Sequence, residues 1–433
     1  MLPHILSLNL AIARSCEEWT SAVHVALLRP RAAVSYPLAH ASNVSPDAGM
    51  TGQPPPPVSA PLAIDGGSPV RSAPFPAQEA PSPAGDDRGL EAFERELAEF
   101  VGGERVAIAC ASHADALRLA FRAAALEDCE VVVPALGAEP VARALLANGL
   151  LPVPGEVDPE TANLAPQGLT TASGERPRGV VVTHAFGHPA AMADITALAG
   201  RGNLAVIEDI SDALGASHGG VAAGALGRVA ALGFGPGHLL TGGDDGEGGA
   251  VLVDAEAAGE VRGWRDAGGA EPAAASLSVA LSELRGAAEA LTLRREVAWH
   301  LTYELRGVRG LATMRHGRWI RHGYDRYVVR LRSMLWQRSL DDTVEALRAE
   351  GVPCAPALGS SLHGDAAVRA GLGEDDPRLH EEHFAAASQL PAALLAIPLG
   401  AATTTDMNDV AEALRKVAAA STRGDGAEKA GAR

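Results

Sequence analysis

The feature that most constrains this chain is a series of short apolar runs between residues 105 and 254. They are RVAIAC, CEVVVP, RGVVVTH, LAVIED, VAALGF and GAVLV. Each is continuously apolar rather than alternating, so each reads as a strand covered on both faces. Segments with helical spacing separate most of them: ADALRLAFRAAAL, EPVARALLANG and PAAMADITALAGR. Strands alternating with helices predict an α/β fold built on a mostly parallel sheet. A helix is predicted ahead of the series at GLEAFERELAEFVG, with Leu90, Phe93, Leu97 and Phe100 on one face.

The pattern changes beyond residue 300. A long helix is expected through LSELRGAAEALTLRREVAWHLTYEL. It is followed by a strand at DRYVVRL, a helix at DDTVEALRAEG and a closing helix at TTDMNDVAEALRKVAAA, capped near Thr404 or Thr405. The expected organisation is a large domain over 62–300 and a small α+β domain over 301–420. Residues 1–61 contain the Pro-rich stretch TGQPPPPVSAP, preceded by Met50. They read as a disordered extension or a start-site artefact, and the polar 421–433 reads as a disordered tail.

A formal net charge of -17 argues against nonspecific binding to nucleic acid or to an anionic membrane. No apolar run is long enough to span a bilayer. Cys16, Cys110, Cys129 and Cys354 show no metal-ligand spacing, so a reducing cytoplasm is expected and no metal site. Cys110 reads as a small buried residue. Lysine is scarce: of 36 basic residues only Lys416 and Lys429 are lysine.

The stretches LAIDGGSPVRSAPFP, ASHADALRLAF, VVVPAL, THAFGHPAAMADI, LAVIEDISDALGAS, GEGGAVL, LSEL and IPLGAATTTDMNDVAEAL follow one another in order. Together they resemble the DegT/StrS family of pyridoxal-phosphate (PLP) dependent sugar aminotransferases. The resemblance covers about 62–420 and implies the type I PLP-transferase fold: a large domain with a mostly parallel mixed sheet and a small C-terminal domain. It implies that Asp209 pairs with the cofactor's pyridine nitrogen, though by itself Asp209 also reads as a helix N-cap. It places Ser112, His113 and Ala114 where the family has the Ser-Gly-Thr phosphate cup. Gly137 and Ala138, followed by Glu139, stand where the family has Thr and a stacking Phe. Asp212 stands at the family glutamine, Gly233 at a family serine and Ser278 at the reaching asparagine. His184 matches a family histidine and also reads as a structural one. Gly246, Gly248 and Gly249 read as a tight turn.

In GFGPGHLLTGGDDGEGG the resemblance places His238 at the Schiff-base lysine. Imidazole cannot hold the aldehyde, but it can move a proton. Lys416 and Lys429 lie too far along the chain to substitute. One branch of the family also has histidine here, the GDP-4-keto-6-deoxymannose 3-dehydratase and the related CDP-sugar 3-dehydrase. This chain differs from them by a longer loop containing Asp244 and Asp245. The expectation is a family member of amino-sugar, aminocyclitol or aminohydroxybenzoate metabolism that is not an ordinary transaminase. It binds PLP or pyridoxamine phosphate (PMP), if at all, with weakened affinity. Two kinds stay open. One is a PMP-dependent ketosugar 3-dehydratase-like enzyme with His238 as base. The other is an inactive paralogue serving as partner subunit of an active homologue, its pocket filled by Asp244, Asp245 or His113. The resemblance also implies a dimer, homo- or heteromeric, and a keto-sugar or cyclitol-like ligand.

Overall fold

A computed structural model of the chain describes residues 60–76, 89–102, 104–172, 177–243, 246–314, 317 and 319–422. Asp244 and Asp245, Cys16, Lys429, residues 1–59 and the tail from 423 lie outside the described residues, and with them the readings made there.

Nine strands occupy the first part of the chain: β1 Arg105–Cys110, β2 Glu130–Pro134, β3 Leu151–Gly155, β4 Pro177–Thr183, β5 Ala205–Asp209, β6 Ser217–His218, β7 Val221–Ala222, β8 Val229–Gly233 and β9 Gly249–Asp254. Seven of them form one sheet in the order β1-β9-β8-β5-β4-β2-β3. β9 runs antiparallel to both neighbours, and the pairs from β8 to β3 are parallel. The fold is therefore α/β with a mostly parallel mixed sheet. β3 and the helices Pro166–Ala172 and Ala255–Ala267 add to the elements expected from sequence.

The continuous apolar strands are buried from both sides. β8 is buried throughout, and Val180, Val181, Val182 and Ile207 are almost wholly covered. Helix His113–Ala123 packs on this sheet through Leu117, Leu119 and Phe121. Helix Gly89–Val101 covers the opposite side through Phe93 and Leu97. Each such side chain contributes about 1.5–3 kcal/mol by leaving water.

Helix Ala274–Glu304 runs 31 residues and leads to five further strands: β10 Leu311–Thr313, β11 Ile320–Arg321, β12 Arg326–Leu331, β13 Ala355–Pro356 and β14 Leu394–Pro398. β10-β12-β14-β13 form an antiparallel sheet, backed by helices Leu340–Ala349 and Thr404–Ser421. β11 pairs with the β6-β7 hairpin in a small separate sheet.

The cap of the last helix is Thr403, one residue before Thr404 and two before Thr405, near which it was expected. There its side chain and that of Asp406 complete a reciprocal capping box, which a later start would break. The helix also continues through Ser421, which is buried.

Lys416 lies on this helix, 3% exposed. Its Nζ donates to Glu350 Oε2 at 2.8 Å and to the Ser68 carbonyl at 2.8 Å. Glu350 also accepts the backbone N–H groups of Ala63 and Val70. One buried ion pair thus ties segment 62–71 to the second sheet's helices.

Candidate active site

The carboxyl ends of β1, β4, β5 and β8 open on one cleft, the position where parallel sheets place their sites. Its volume is about 280 Å³. His113, Glu139, Thr183, His184, Asp209, Asp212, His238 and Arg326 are among its lining residues. Sequence reading had singled out His113, His184, Asp209, Asp212 and His238, and the fold brings these five together. Ser112 and Ala114 do not line it. The Ser112 hydroxyl caps helix His113–Ala123 by accepting the Asp115 N–H and bonding Asp115 Oδ2 at 2.8 Å. Ala114 is exposed.

Asp209 ends β5. The helix it was expected to cap is a series of turns, so the capping reading is replaced. Its Oδ1 accepts the Ser211 hydroxyl at 2.6 Å and the Ser211 N–H at 3.1 Å. Its Oδ2 lies 3.1 Å from His113 Nε2. Burial opposes ionisation of Asp209, but His113 and Ser211 outweigh it and hold its pKa at about 2. Burial likewise opposes charge on His113, and the Asp209 carboxylate more than offsets it, raising the imidazole's pKa. Each partner thus favours the charged form of the other.

His238 sits in the loop between β8 and β9. The long helix Ala274–Glu304 fastens that loop at two points. Arg294 donates to the carbonyls of Gly237 and His238 at 3.2 Å, and Glu283 accepts the N–H groups of Thr241 and Gly242. Residues 283 and 294 are three helical turns apart, so both face the loop. His238 Nδ1 bonds Asp325 Oδ1 at 2.8 Å and lies 3.4 Å from Asp212 Oδ1. Burial works against a charge on His238, but Asp325 and then Asp212 raise its pKa. Arg326 closes the cluster, 2.6 Å from Asp325 and 3.6 Å from Asp212.

Asp212 is the strained member. Burial, then the neighbouring Asp325 charge, push its pKa up to about 6 despite Arg326 and His238. Asp325 keeps its pKa low: burial opposes this, and the bonds from His238 and the Arg326 charge prevail.

Asp325 and Arg326 were read from sequence only as the start of a strand. They reach the cleft because segment 184–188 and segment 323–325 meet backbone to backbone. Gly323 N–H bonds the Gly187 carbonyl at 2.7 Å, and Asp325 N–H the Phe186 carbonyl at 3.2 Å. A Cβ on Gly187 would stand 2.7 Å from the Tyr324 nitrogen, so only glycine allows the approach.

His184 is a wall residue with both ring nitrogens committed. Nδ1 accepts the Ala190 N–H, which leaves the Nε2 proton for Glu208 at 3.2 Å. Glu208 in turn gathers N–H groups from Gly224, Leu226 and Gly227. Thr183 Oγ1 is buried in the wall and has no partner among the described residues.

Asp212, His238 and Asp325 offer ligand atoms within 4.8 Å of one another. A divalent ion can span that separation, which the sequence reading did not foresee. The Arg326 guanidinium already supplies a positive charge to both carboxylates. Cys110, Cys129 and Cys354 are buried, and burial pushes the Cys110 thiol up to about 12. A larger cavity of about 570 Å³, beside Arg306, Arg330 and Arg332, shares no residue with the cleft. No helix among the described residues is long and apolar enough to cross a membrane.

The sequence profile of the DegT/DnrJ/EryC1/StrS aminotransferase family matches residues 87–415. L-glutamine:2-deoxy-scyllo-inosose aminotransferase of Streptomyces paromomycinus is 34% identical over 226 residues, 47% of this chain and 53% of its own length. This chain thus spans about half the length of that relative. The erythromycin biosynthesis sensory transduction protein EryC1 of Saccharopolyspora erythraea is 28% identical over 326 residues, 72% of this chain and 84% of its own. Among solved structures, DesV of S. venezuelae, in complex with a ketimine intermediate, shares the fold with a TM-score of 0.69. It is 27% identical and the match covers 79% of this chain and 91% of that one. The PLP form of the putative sugar aminotransferase Spr1654 of Streptococcus pneumoniae shares the fold alone, with a TM-score of 0.70 at 15% identity, over 81% of this chain and 99% of that one.

The residues present do not fit the cofactor that such proteins carry. Position 238, where the resemblance puts the Schiff-base lysine, offers no amine. Both oxygens of Asp209 are already bonded, one of them to the His113 ring. A carboxylate, Asp212, stands where the resemblance puts a neutral amide.

Proposed function

The chain belongs to the DegT/DnrJ/EryC1/StrS aminotransferase family, and on that premise we propose that it serves amino-sugar or aminocyclitol biosynthesis without transaminating. In this reading it is a partner subunit that pairs with a lysine-bearing homologue. The observation that carries it is the state of the cleft: His238, where the resemblance puts the Schiff-base lysine, is held between Asp325 and Asp212, and Asp209 is held by His113. The family fold is kept around these residues. The aminocyclitol aminotransferase of Streptomyces paromomycinus supplies the pathway class.

Native mass spectrometry after co-expression with a lysine-bearing family member from the same genome tests this. The expected result is a heterodimer whose cofactor is held by the relative alone. Release of an amine product by this chain alone, given PLP, L-glutamine and a keto-cyclitol, would overturn it.

A second reading is favoured by the 2.8 Å contact between His238 and Asp325. An imidazole oriented by a carboxylate can hold and move a proton at Nε2. In this reading the chain is a PMP-dependent ketosugar 3-dehydratase-like enzyme with His238 as base. His238→Ala should then abolish dehydration of a nucleotide 4-ketosugar; retained turnover would remove His238 from the role.

A further inference from the structure

Two positions at which the resemblance implies a departure from the family stand far apart in the sequence: His113, where it puts glycine, and Gly233, where it puts serine. In the fold they touch. A Cβ built on Gly233 would lie 2.6 Å from His113 Cγ, 2.7 Å from its Cβ and 2.9 Å from its Cδ2. Real Cβ atoms do not approach that closely, and the obstructing atoms include the root of the side chain, which cannot swing aside. The Gly233 N–H donates to Ser211 Oγ at 2.9 Å. Ser211 Oγ donates to Asp209 at 2.6 Å and lies 3.3 Å from His113 Nε2. His113 Nε2 completes the ring at Asp209 Oδ2.

We propose that His113 takes the place of the ring cation that Asp209 would otherwise hold, and that His113 and Gly233 are one matched pair which keeps that subsite filled from within. The inference rests on the family reading of Asp209 and goes beyond the partner-subunit reading, because it names the side chain that keeps the subsite filled; the PMP-dependent reading needs the opposite. Any ligand with a protonated ring nitrogen must first displace an imidazole that is bonded and packed in place. A site filled by an external cofactor has become one filled by the chain's own side chain.

A double-mutant cycle on the full chain tests the pairing without any cofactor. Gly233→Ser should lower stability clearly in the unmodified background and have little effect beside His113→Gly, because the obstructing ring is then gone. Equal costs in the two backgrounds would overturn the pairing. PMP, which needs no lysine, tests the subsite by calorimetry. The unmodified protein should bind it weakly. His113→Gly should bind it about tenfold or more tightly, and adding Asp209→Asn should remove the gain. Free pyridoxamine and inorganic phosphate, titrated separately, divide any gain between ring and phosphate.

Unmodified protein that binds PMP as tightly as folded His113→Gly would overturn the proposal. That result would leave the partner-subunit reading to be judged by the heterodimer experiment. Should His113→Gly fail to fold, the unmodified protein still decides by NMR. The His113 ring, which faces Asp209, Asp212 and His238, should titrate above an ordinary histidine and fall back when Asp209 is changed to Asn. An ordinary value with Asp209 present would overturn it.

Discussion

Two buried charge clusters in this protein follow opposite logics. Around Glu350 the account closes: one carboxylate meets one ammonium and two backbone N–H groups, and Lys416 also reaches a carbonyl. In the cleft three carboxylates, Asp209, Asp212 and Asp325, share His113, His238 and Arg326, and one of them is pushed up to about 6. A closed cluster fixes the chain in one arrangement. A crowded one stores a preference for whatever relieves it, which is how binding sites differ from struts.

The largest effect should come from the closed cluster. Glu350→Ala leaves Lys416 buried and unpaired and frees the 62–71 segment, at a cost of about 3–5 kcal/mol. Urea denaturation measures it, and a loss under about 1 kcal/mol would erase the contrast.

In the cleft the sign should reverse. Asp212 has a raised pKa, so its contribution to stability is full below the ordinary aspartate value. It is lost as pH rises from about 4 through its folded value of about 6. His113 and His238 are raised as well, so their contributions fade only above the ordinary histidine value. Stability from these groups should therefore fall from mildly acidic to mildly alkaline pH. Asp212→Asn should remove the first part of that fall and stabilise the protein at pH 8 by about 1–3 kcal/mol. Thermal melts across pH check it, and a flat difference between the two proteins would break the comparison.

The smallest effect sharpens the framework side. Thr403→Ala removes one half of the capping box on the helix that contains Lys416 and should cost about 1 kcal/mol. Chemical denaturation should show a shift in midpoint without a change in slope.

The large sheet was legible because burial on both faces forces a continuous apolar run. β3, LPVPG, was not: its two prolines and short apolar content imitate a loop, and it survives as an edge strand. Helix Ala255–Ala267 hid behind two glycines and only a thin apolar stripe. In the cleft, Asp209 and His238 stood out through the family resemblance, which places them at the pyridine partner and at the Schiff-base lysine. Asp325 did not, because its meaning depends on a contact with His238 across 87 residues. His113 and Gly233 were each visible as oddities, but nothing in the sequence joins them. The joining term is a steric distance, which only the fold supplies.

The burial of Lys416 has a practical consequence at the bench. It is the only lysine among the described residues, and the sequence holds one other, Lys429. Reagents that seek primary amines are thus directed to Lys429 and to any unblocked α-amino group rather than to Lys416. Pyridoxal added to this protein has almost no surface amines to colour. Its absorbance can therefore be followed against a nearly dark background, and an imine band that survives Lys429→Arg and α-amine blocking would have to come from Lys416, which is reached only by opening the framework.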